Sequence, residues 1–201
     1  MHNGRTTLSK FLIQQLKGSP ELSDLAALLV DIAAAVKAIS AMTAKGELGD
    51  VLGSLETQNV QGEIQKKLDV MSNTAFVNTF ALGGLVAGLA SEEMDDPVVI
   101  EAQDEPGRFL AIFDPLDGSS NIDINVSVGS IFSVLRAPQG HAPEVKDYLL
   151  SGREQIAAGY AIYGPSTMLV LTVGKGTHGF TLDREVGNFI PVSYTHLTLP
   201  T

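Results

Sequence analysis

The stretch that most constrains this fold is an acidic turn between two apolar segments. A short apolar run, Phe109 to Phe113, leads directly into Asp-Pro-Leu-Asp-Gly-Ser-Ser-Asn, which covers residues 114–121. Isoleucines and valines then alternate with polar residues from 122 to 128, a pattern typical of a half-buried β-strand. The sequence therefore predicts two strands, with the acidic turn at the end of the first.

The residues of this turn restrict the backbone and offer ligand atoms. Pro115 fixes its own φ and favours extended geometry at Asp114, and Gly118 permits a backbone conformation that other residues resist. Asp114 and Asp117 can therefore converge on one hard cation. The Gly-Ser-Ser sequence at 118–120 supplies consecutive N–H groups and two hydroxyls, as in an anion-binding loop. The combination suggests phosphoryl transfer, although an ordinary turn without a ligand has a similar composition.

A second acidic cluster follows another apolar run. Residues 85–90 are predicted to form a short buried strand, and Ser91-Glu92-Glu93 stands at its end. A solvated turn is the ordinary explanation of such a charge cluster. If the two strands lie side by side, however, the clusters at 92–93 and 114–117 would build a two-metal site.

The rest of the chain predicts helices packed on a sheet. Residues 6–17 have helical periodicity, and Ser19-Pro20 predicts the N-cap of a long amphipathic helix that runs to about Lys45-Gly46. Residues 46–61 are predicted to form a loop, and helical periodicity resumes at Glu63. Three strands, 156–163, 168–173 and 178–182, are joined by short glycine-containing turns. The predicted class is α+β, with layered helices on a largely antiparallel sheet.

Composition excludes several kinds of partner. The net charge of −10 argues against nucleic acid and against an anionic membrane surface, but bound cations would still allow a phosphate substrate. The chain has no cysteine and four histidines without paired spacing, so any metal would be held mainly by oxygen. The first residues lack an uninterrupted apolar segment of the secretory type. We expect a cytoplasmic protein.

Four motifs together resemble the class 1 fructose-1,6-bisphosphatases. They are DPLDGSSN at 114–121, SEE at 91–93, QGEIQKKLDVMSN at 61–73 and AAGYAIYGPSTMLV at 157–170. The resemblance extends from about residue 6 to about residue 190. It implies that residues 1–190 form the N-terminal domain of the sugar-phosphatase fold, and that residues 191–201 form a tail foreign to the family.

The resemblance also implies a role for each site residue. Metal ligands are expected at Glu92, Asp114, Asp117 and the carbonyl of Leu116, with Mg²⁺ as the cofactor and Mn²⁺ as an alternative. Catalytic roles, in a third cation site or in activating the attacking water, are expected for Glu63, Asp69 and Glu93. The 1-phosphate would be held by Asp117, Gly118, Ser119 and Ser120. The implied reaction is hydrolysis of fructose 1,6-bisphosphate to fructose 6-phosphate in gluconeogenesis, by a homo-oligomer, a tetramer in this family.

In the family, a second α/β domain supplies a further carboxylate ligand and the groups that hold the sugar and the 6-phosphate. We therefore expect residues 1–201 alone to bind metal weakly and to hydrolyse the substrate poorly. Many relatives also bind AMP at their N-terminal helices. Arg108 and Arg136 match basic positions of that site, but the expected glycine-threonine signature is replaced by GSPELSD at 18–24, so AMP regulation is doubtful.

Two alternatives remain open from the sequence. One is a sedoheptulose-bisphosphatase or an inositol-phosphatase-like enzyme, although the latter usually has threonine after the Asp-Pro-x-Asp-Gly motif where this chain has Ser119. The other is a non-catalytic regulatory or oligomerisation module, since the apolar stripe at 22–39 could drive subunit packing. Loss of Mg²⁺ or Mn²⁺ binding on replacing Asp114 would separate a metalloenzyme from such a module.

Overall fold

The fold is given by a computed structural model, which describes residues 6–49, 54–58, 64–101 and 105–192. Four helices are present in these ranges: α1 (Leu8–Gln15), α2 (Pro20–Thr43), α3 (Lys67–Gly83) and the single turn α4 (Val145–Tyr148). Ten strands accompany them: β1 (Ser54–Gln58), β2 (Ile64–Lys66), β3 (Val86–Ser91), β4 (Val98–Val99), β5 (Phe109–Asp117), β6 (Val128–Arg136), β7 (Ala157–Tyr163), β8 (Thr167–Thr172), β9 (Thr177–Asp183) and β10 (Asn188–Pro191).

The long helix begins where its sequence predicts. The Ser19 hydroxyl accepts a hydrogen bond from the Leu22 amide at 3.3 Å, and Pro20 occupies the first turn, where it sacrifices no helical hydrogen bond. α2 is long and apolar enough, by length and composition, to cross a membrane, but core helices of globular proteins meet the same test. Here its buried face belongs to the main hydrophobic cluster of the fold.

Eight strands form one sheet in the order β10-β9-β8-β7-β6-β5-β3-β4. All neighbouring pairs are antiparallel except β3 and β5, which are parallel. Side chains from α1, α2 and α3 share one large cluster with alternate residues of the strands, so these helices cover one face of the sheet. The predicted α+β class with a largely antiparallel sheet is confirmed.

The opposite face of the sheet, here called the outer face, is covered less completely. Tyr148 of α4 packs there in a small second cluster with Ala87, Leu110 and Leu135. Farther along the sheet, Ile131, Tyr160 and Ile162 remain 48%, 41% and 39% exposed. The outer face therefore carries a strip of exposed apolar side chains across β6 and β7.

Two predictions of local structure are wrong. The strand predicted from residue 122 does not begin there: residues 119–124 form a 3-10 helix, and β6 begins only at Val128. The alternating residues there are not half-buried, since Ile124 and Val126 are 69% and 52% exposed. Helical structure also resumes later than predicted: residues 64–66 form β2, paired with β1 inside the predicted loop, and α3 starts at Lys67.

The end of the sheet bears on the predicted domain boundary. β10 runs through Pro191, and the Val192 amide donates to the carbonyl of Gly179 at 3.0 Å. The sheet thus continues two residues past 190. Residues 193–201 lie beyond the described part of the chain, and the foreign origin of residues 191–201 stays a prediction.

Candidate active site

The two acidic segments meet because β3 and β5 are adjacent and parallel. Ser91 is opposite Phe113 in the ladder, and the Glu92 amide continues the pairing by donating to the Phe113 carbonyl at 3.0 Å. Parallel strands end at the same edge of a sheet, so Glu92 and Asp114 leave the ladder side by side. This is the arrangement on which the predicted site depended.

An aromatic cluster fixes α3 against the end of β5. The ring of Phe113 lies 5.0 Å from that of Phe76 and 5.5 Å from that of Phe80, measured between centroids. Phe76 and Phe80 belong to the buried face of α3. Because Phe113 directly precedes Asp114, the cluster holds the start of the acidic turn against α3.

Asp69 reaches the site from the first turn of α3. Its Oδ2 accepts a hydrogen bond from the Lys66 amide at 2.7 Å, whereas its Oδ1 is buried and has no hydrogen-bond partner among the described residues. The side chain is only 2% exposed. Burial raises the pKa of Asp69 and the charge of Glu93 adds to that shift, while Lys66 and Ser119 act in the opposite direction.

A side-chain hydrogen bond links α3 to the end of β3. The Ser91 hydroxyl donates to Asn73 Oδ1 at 2.8 Å, and it also accepts from the Glu93 amide at 3.3 Å. Asn73 lies one helical turn beyond Asp69, so both face the same edge of the sheet. No role for Asn73 was predicted from the sequence, although this residue ends the family-like segment at 61–73.

Asp114 is the most strongly perturbed carboxyl group of the site. Burial raises its pKa to about 6, and the charges of Asp117, Glu93 and Asp69 act in the same direction. A hydrogen bond of 3.0 Å from the Leu116 amide to Asp114 Oδ1 opposes the shift only in part. The three segments 69, 93 and 114–117 are therefore close enough for their charges to repel one another.

Beyond Asp114 the strand bends. The register of β5 against β6 shifts between Asp114 and Asp117, so that Leu116 is buried while Asp117 is exposed. Gly118 follows with a φ of 79°, a left-handed conformation that glycine adopts without strain. Ser119 and Ser120 then open the 3-10 helix, Ser119 half-buried and Ser120 exposed. This bend separates the acidic residues from the two hydroxyls by a single glycine.

The predicted ligands do not form a closed metal cage. Within the described ranges, no group of three or more histidine, aspartate or glutamate side chains is arranged to hold a metal ion. The chemistry of the site nevertheless fits a hard divalent cation, because carboxylate oxygens are the available donors and Asp69 Oδ1 is buried and unpaired. The individual ligand roles stay predictions, and Glu63 lies outside the residues that the structure describes.

A basic residue adjoins the acidic cluster without entering it. Lys66 Nζ lies 2.8 Å from Asp123 Oδ2, in the 3-10 helix that follows the serines. This pair connects the start of α3 with the segment after the predicted phosphate-binding loop. The lysine charge also lowers the pKa of Asp69, but less than burial raises it.

Comparison with known proteins agrees with this arrangement. Residues 6–194 match the family model described as fructose-1-6-bisphosphatase, N-terminal domain. The structure is also similar to crystal structures of Leishmania major fructose-1,6-bisphosphatase. The holo form has a TM-score of 0.86 and 40% sequence identity, over 94% of this chain and 59% of that chain.

Two further crystal structures of the Leishmania major protein give similar values. The apo form has a TM-score of 0.79 and 37% identity over 95% of this chain, and the T-state form has a TM-score of 0.77 and 37% identity over 94%. In both cases 57% of the other chain is covered. The chain thus spans less than three-fifths of the length of these solved relatives.

Proposed function

Because the chain belongs to the fructose-1,6-bisphosphatase family, through the N-terminal domain of that family, we propose that it carries the metal- and phosphate-binding part of a sugar-bisphosphate hydrolase. The reaction is hydrolysis of the 1-phosphate of fructose 1,6-bisphosphate, which gives fructose 6-phosphate and phosphate. The observation that carries this proposal is the parallel pairing of β3 with β5, which sets Glu92 and Glu93 beside Asp114.

The cofactor of this proposal is Mg²⁺, with Mn²⁺ as an alternative. Glu92, Asp114, Asp117 and the carbonyl of Leu116 would hold it, and Glu93 would complete the acidic surroundings. A divalent cation neutralises charge on the phosphoryl oxygens and lowers the pKa of water that it binds. It would also remove the repulsion between carboxylates that raises the pKa of Asp114.

Asp69 is the proposed acceptor of a proton from the attacking water. Its Oδ2 is held by the Lys66 amide and Ser119 interacts with the same carboxylate, so the side chain has a fixed orientation. Burial makes this carboxylate more basic, since it raises the pKa of Asp69 above the usual range of an aspartate. Glu63 is proposed to assist from the segment before β2.

The loop at Gly118, Ser119 and Ser120 is proposed to bind the transferring phosphoryl group. The left-handed glycine turns the chain into the 3-10 helix, where backbone N–H groups and two hydroxyls are available beside the carboxylates. The proposal extends to a cytoplasmic homo-oligomer that acts in carbohydrate metabolism, in the direction of gluconeogenesis.

Metal titration of the 201-residue chain tests the site. Isothermal calorimetry with Mn²⁺ should detect binding that Asp114→Ala abolishes and that Asp183→Ala, at the last residue of β9, leaves unchanged. The Asp183 carboxylate accepts hydrogen bonds from the Glu185 and Val186 amides, away from the acidic cluster. Equal binding by the two variants would remove the basis of the proposed site.

Phosphate release tests the substrate. Residues 1–201 should hydrolyse fructose 1,6-bisphosphate only slowly, because the groups that hold the sugar in the family come from its second domain. Sedoheptulose 1,7-bisphosphate and inositol monophosphate, assayed beside it on the same chain, measure the preference. Faster turnover of either competitor would redirect the proposal to that substrate.

A further inference from the structure

The bend between Asp114 and Asp117 turns one backbone carbonyl into the protein interior. Pro115 and Leu116 are both buried there, in the part of β5 where the ladder with β6 is interrupted. A buried carbonyl that has left its ladder needs another donor. The Ser130 hydroxyl of β6 supplies it, at 2.7 Å from the carbonyl oxygen of Pro115.

The hydroxyl of Ser130 also lies 2.7 Å from that of Tyr163 on β7. The direction of this second hydrogen bond follows from the first. A carbonyl can only accept, so the single proton of Ser130 is used on Pro115, and the Tyr163 hydroxyl must donate to Ser130. The chain of donors therefore runs from Tyr163 to Ser130 to Pro115.

Both hydroxyls are enclosed in the core. Ser130 is completely buried and Tyr163 is 4% exposed. Burial raises the pKa of Tyr163 far above its usual value, so the phenol remains a proton donor throughout the range in which the protein is folded. The network spans three neighbouring strands and ends between the two aspartates of the acidic turn.

We propose that Ser130 and Tyr163 are positioning residues that hold the Asp114–Asp117 bend in the shape its carboxylates need to bind a divalent cation. This role rests on the proposed metal site. Neither side chain contacts the cation; both act through the carbonyl of Pro115. The neighbouring hydrogen bond from the Leu116 amide to Asp114 Oδ1 couples the bend to the orientation of the first aspartate.

Removing the Ser130 hydroxyl should move the bend. In Ser130→Ala, a buried carbonyl and a buried phenol both lose their partner, which is unfavourable unless they reach water or a new group. The bend can relieve this by shifting Pro115, and Asp114 shifts with it. Loss of partners that orient metal ligands typically weakens metal binding about 10- to 100-fold.

The same strand offers a matched control. Ser133 also has a buried hydroxyl, but it has no hydrogen-bond partner among the described residues. Mn²⁺ affinity of the 201-residue chain, measured by electron paramagnetic resonance, should fall about tenfold or more in Ser130→Ala and stay within about twofold in Ser133→Ala. In EDTA, hydrogen exchange of the Leu116 amide should be faster in Ser130→Ala than in the unsubstituted chain, and unchanged in Ser133→Ala. This measurement detects a change in the bend without any metal.

A second pair of variants covers the case in which Ser130→Ala does not fold. Tyr163→Phe removes only the donor to Ser130 and should weaken Mn²⁺ binding by roughly threefold, which is about half of the tenfold effect on a logarithmic scale. Tyr160→Phe, on the exposed face of the same strand, should leave it unchanged.

The outcomes separate the two proposals. The positioning role is overturned if the unsubstituted chain binds Mn²⁺ and the two members of each pair have equal Mn²⁺ affinity and equal Leu116 exchange. The proposed function would remain intact in that case. An unsubstituted chain that binds no Mn²⁺ refutes the metal site and the positioning role together. If Mn²⁺ binding is weaker in the Ser130 and Tyr163 variants but unchanged in the Ser133 and Tyr160 variants, the positioning role is supported.

Discussion

The ionised form of Asp114 is unfavourable in the metal-free chain. Its carboxylate is half-buried and is surrounded by Asp69, Glu93 and Asp117, all of which raise its pKa. In the absence of a cation this arrangement is destabilising, because the charged form of Asp114 is less favourable in the folded chain than in the unfolded chain. The charged form of Asp114 therefore lowers the stability of the metal-free chain.

Asp114→Asn should stabilise the metal-free chain at pH 8. The folded pKa of about 6 lies above the ordinary value of 3.8, so the folded chain holds the proton more tightly and stability falls as pH rises through about 4 to above 6. Asparagine retains an oxygen for the Leu116 amide and removes the charge. After discounting for solvent screening, we expect a gain of about 1 kcal/mol at pH 8 and none at pH 4.

Urea unfolding in EDTA, followed by circular dichroism at both pH values, measures this difference. Asp96→Asn, at an exposed position after the second acidic cluster, is the control and should have no such pH-dependent effect. Destabilisation of Asp114→Asn at pH 8 would contradict the electrostatic account. With Mg²⁺ present, the variant should also lose the metal-induced rise in melting temperature.

Single residues differ in how well the sequence predicts them. The sequence predicted that Glu92 and Asp114 would be close if the strands that precede them were neighbours. Whether those strands are neighbours is set by the long-range order of the sheet. Asn73, Ser130 and Tyr163 carry no local signal of their contacts. Their partners lie 15 to 33 positions away in the chain, and only the folded sheet brings the pairs together.

At the scale of elements, α4 is fixed to the sheet through a glycine. A side chain at Gly88 of β3 would meet the Tyr148 hydroxyl, and it would also come within 3.2 Å of Pro143. The Tyr148 hydroxyl is buried without a partner among the described residues, and burial raises the pKa of Tyr148 to about 12. The short helix can therefore lie flat on the outer face only while position 88 has no side chain.

Gly88→Ala should destabilise the chain by about 1 to 3 kcal/mol, because the added methyl group overpacks this contact. Tyr148→Phe alone should be nearly neutral, since the hydroxyl that it removes has no partner. The double variant should recover part of the loss, because the nearest clashing atom is gone. Thermal unfolding of the four proteins gives the interaction energy, and strictly additive effects would argue against this packing.

The first turns of α2 lie beside two arginines. Arg108 Nε is 3.1 Å from Asp24 Oδ2, and Arg136 Nε is 2.7 Å from Glu21 Oε1. Both pairs are substantially exposed, so each contributes little to stability. Each ion pair offsets the charge of one arginine, and an arginine paired in this way attracts an anion less strongly.

We therefore expect AMP to bind the chain with a dissociation constant weaker than about 1 mM, a free energy of binding smaller than about 4 kcal/mol. The double variant Glu21→Gln, Asp24→Asn frees both guanidinium groups and should bind AMP more tightly than the unsubstituted chain. Calorimetry with AMP measures both. Micromolar binding by the unsubstituted chain would show that these ion pairs give way to the nucleotide.

Elements with strong periodicity were predictable, and exposed ones were not. α2 has both a cap and a buried stripe, and its start was confirmed at Ser19. The segment 122–128 alternates like a strand, but left-handed backbone at Gly118 and Asn125 encloses a 3-10 helix instead. Alternation predicts a strand only where one face is buried, and burial is a property of the whole fold.

At the scale of the whole molecule, the outer face remains partly apolar. Ile131 and Tyr160 are opposite each other in the β6–β7 ladder, with Ile162 two residues farther along β7, and all three are exposed by about two-fifths to one-half. Apolar side chains that are contiguous, rather than scattered singly, can serve as an interaction surface. Asp117 lines a hollow of about 310 Å³ with these residues, so the strip adjoins the candidate active site.

The double variant Ile131→Thr, Ile162→Thr should reduce binding of the dye anilinonaphthalene sulfonate to the 201-residue chain by about half or more, because it removes the largest aliphatic groups of the strip. Threonine retains the branched shape that suits a strand, so the free energy of unfolding should change little. Ile13→Thr with Leu82→Thr alters two exposed positions on α1 and α3 and is the matched control. Equal loss of dye binding in both variants would mean that the strip binds the dye no better than other exposed apolar residues do.

The parallel ladder between β3 and β5 has a consequence for how such proteins diverge. Neighbouring strands stand about 4.8 Å apart whatever their side chains, so the distance between the two acidic segments is set by the main chain. Exchange of glutamate for aspartate, or of carboxylate for amide, changes reach and charge but leaves that distance intact. Among chains of this architecture, we therefore expect differences in ion preference to arise from the length and charge of the side chains at the strand ends. The positions of the strands should not differ.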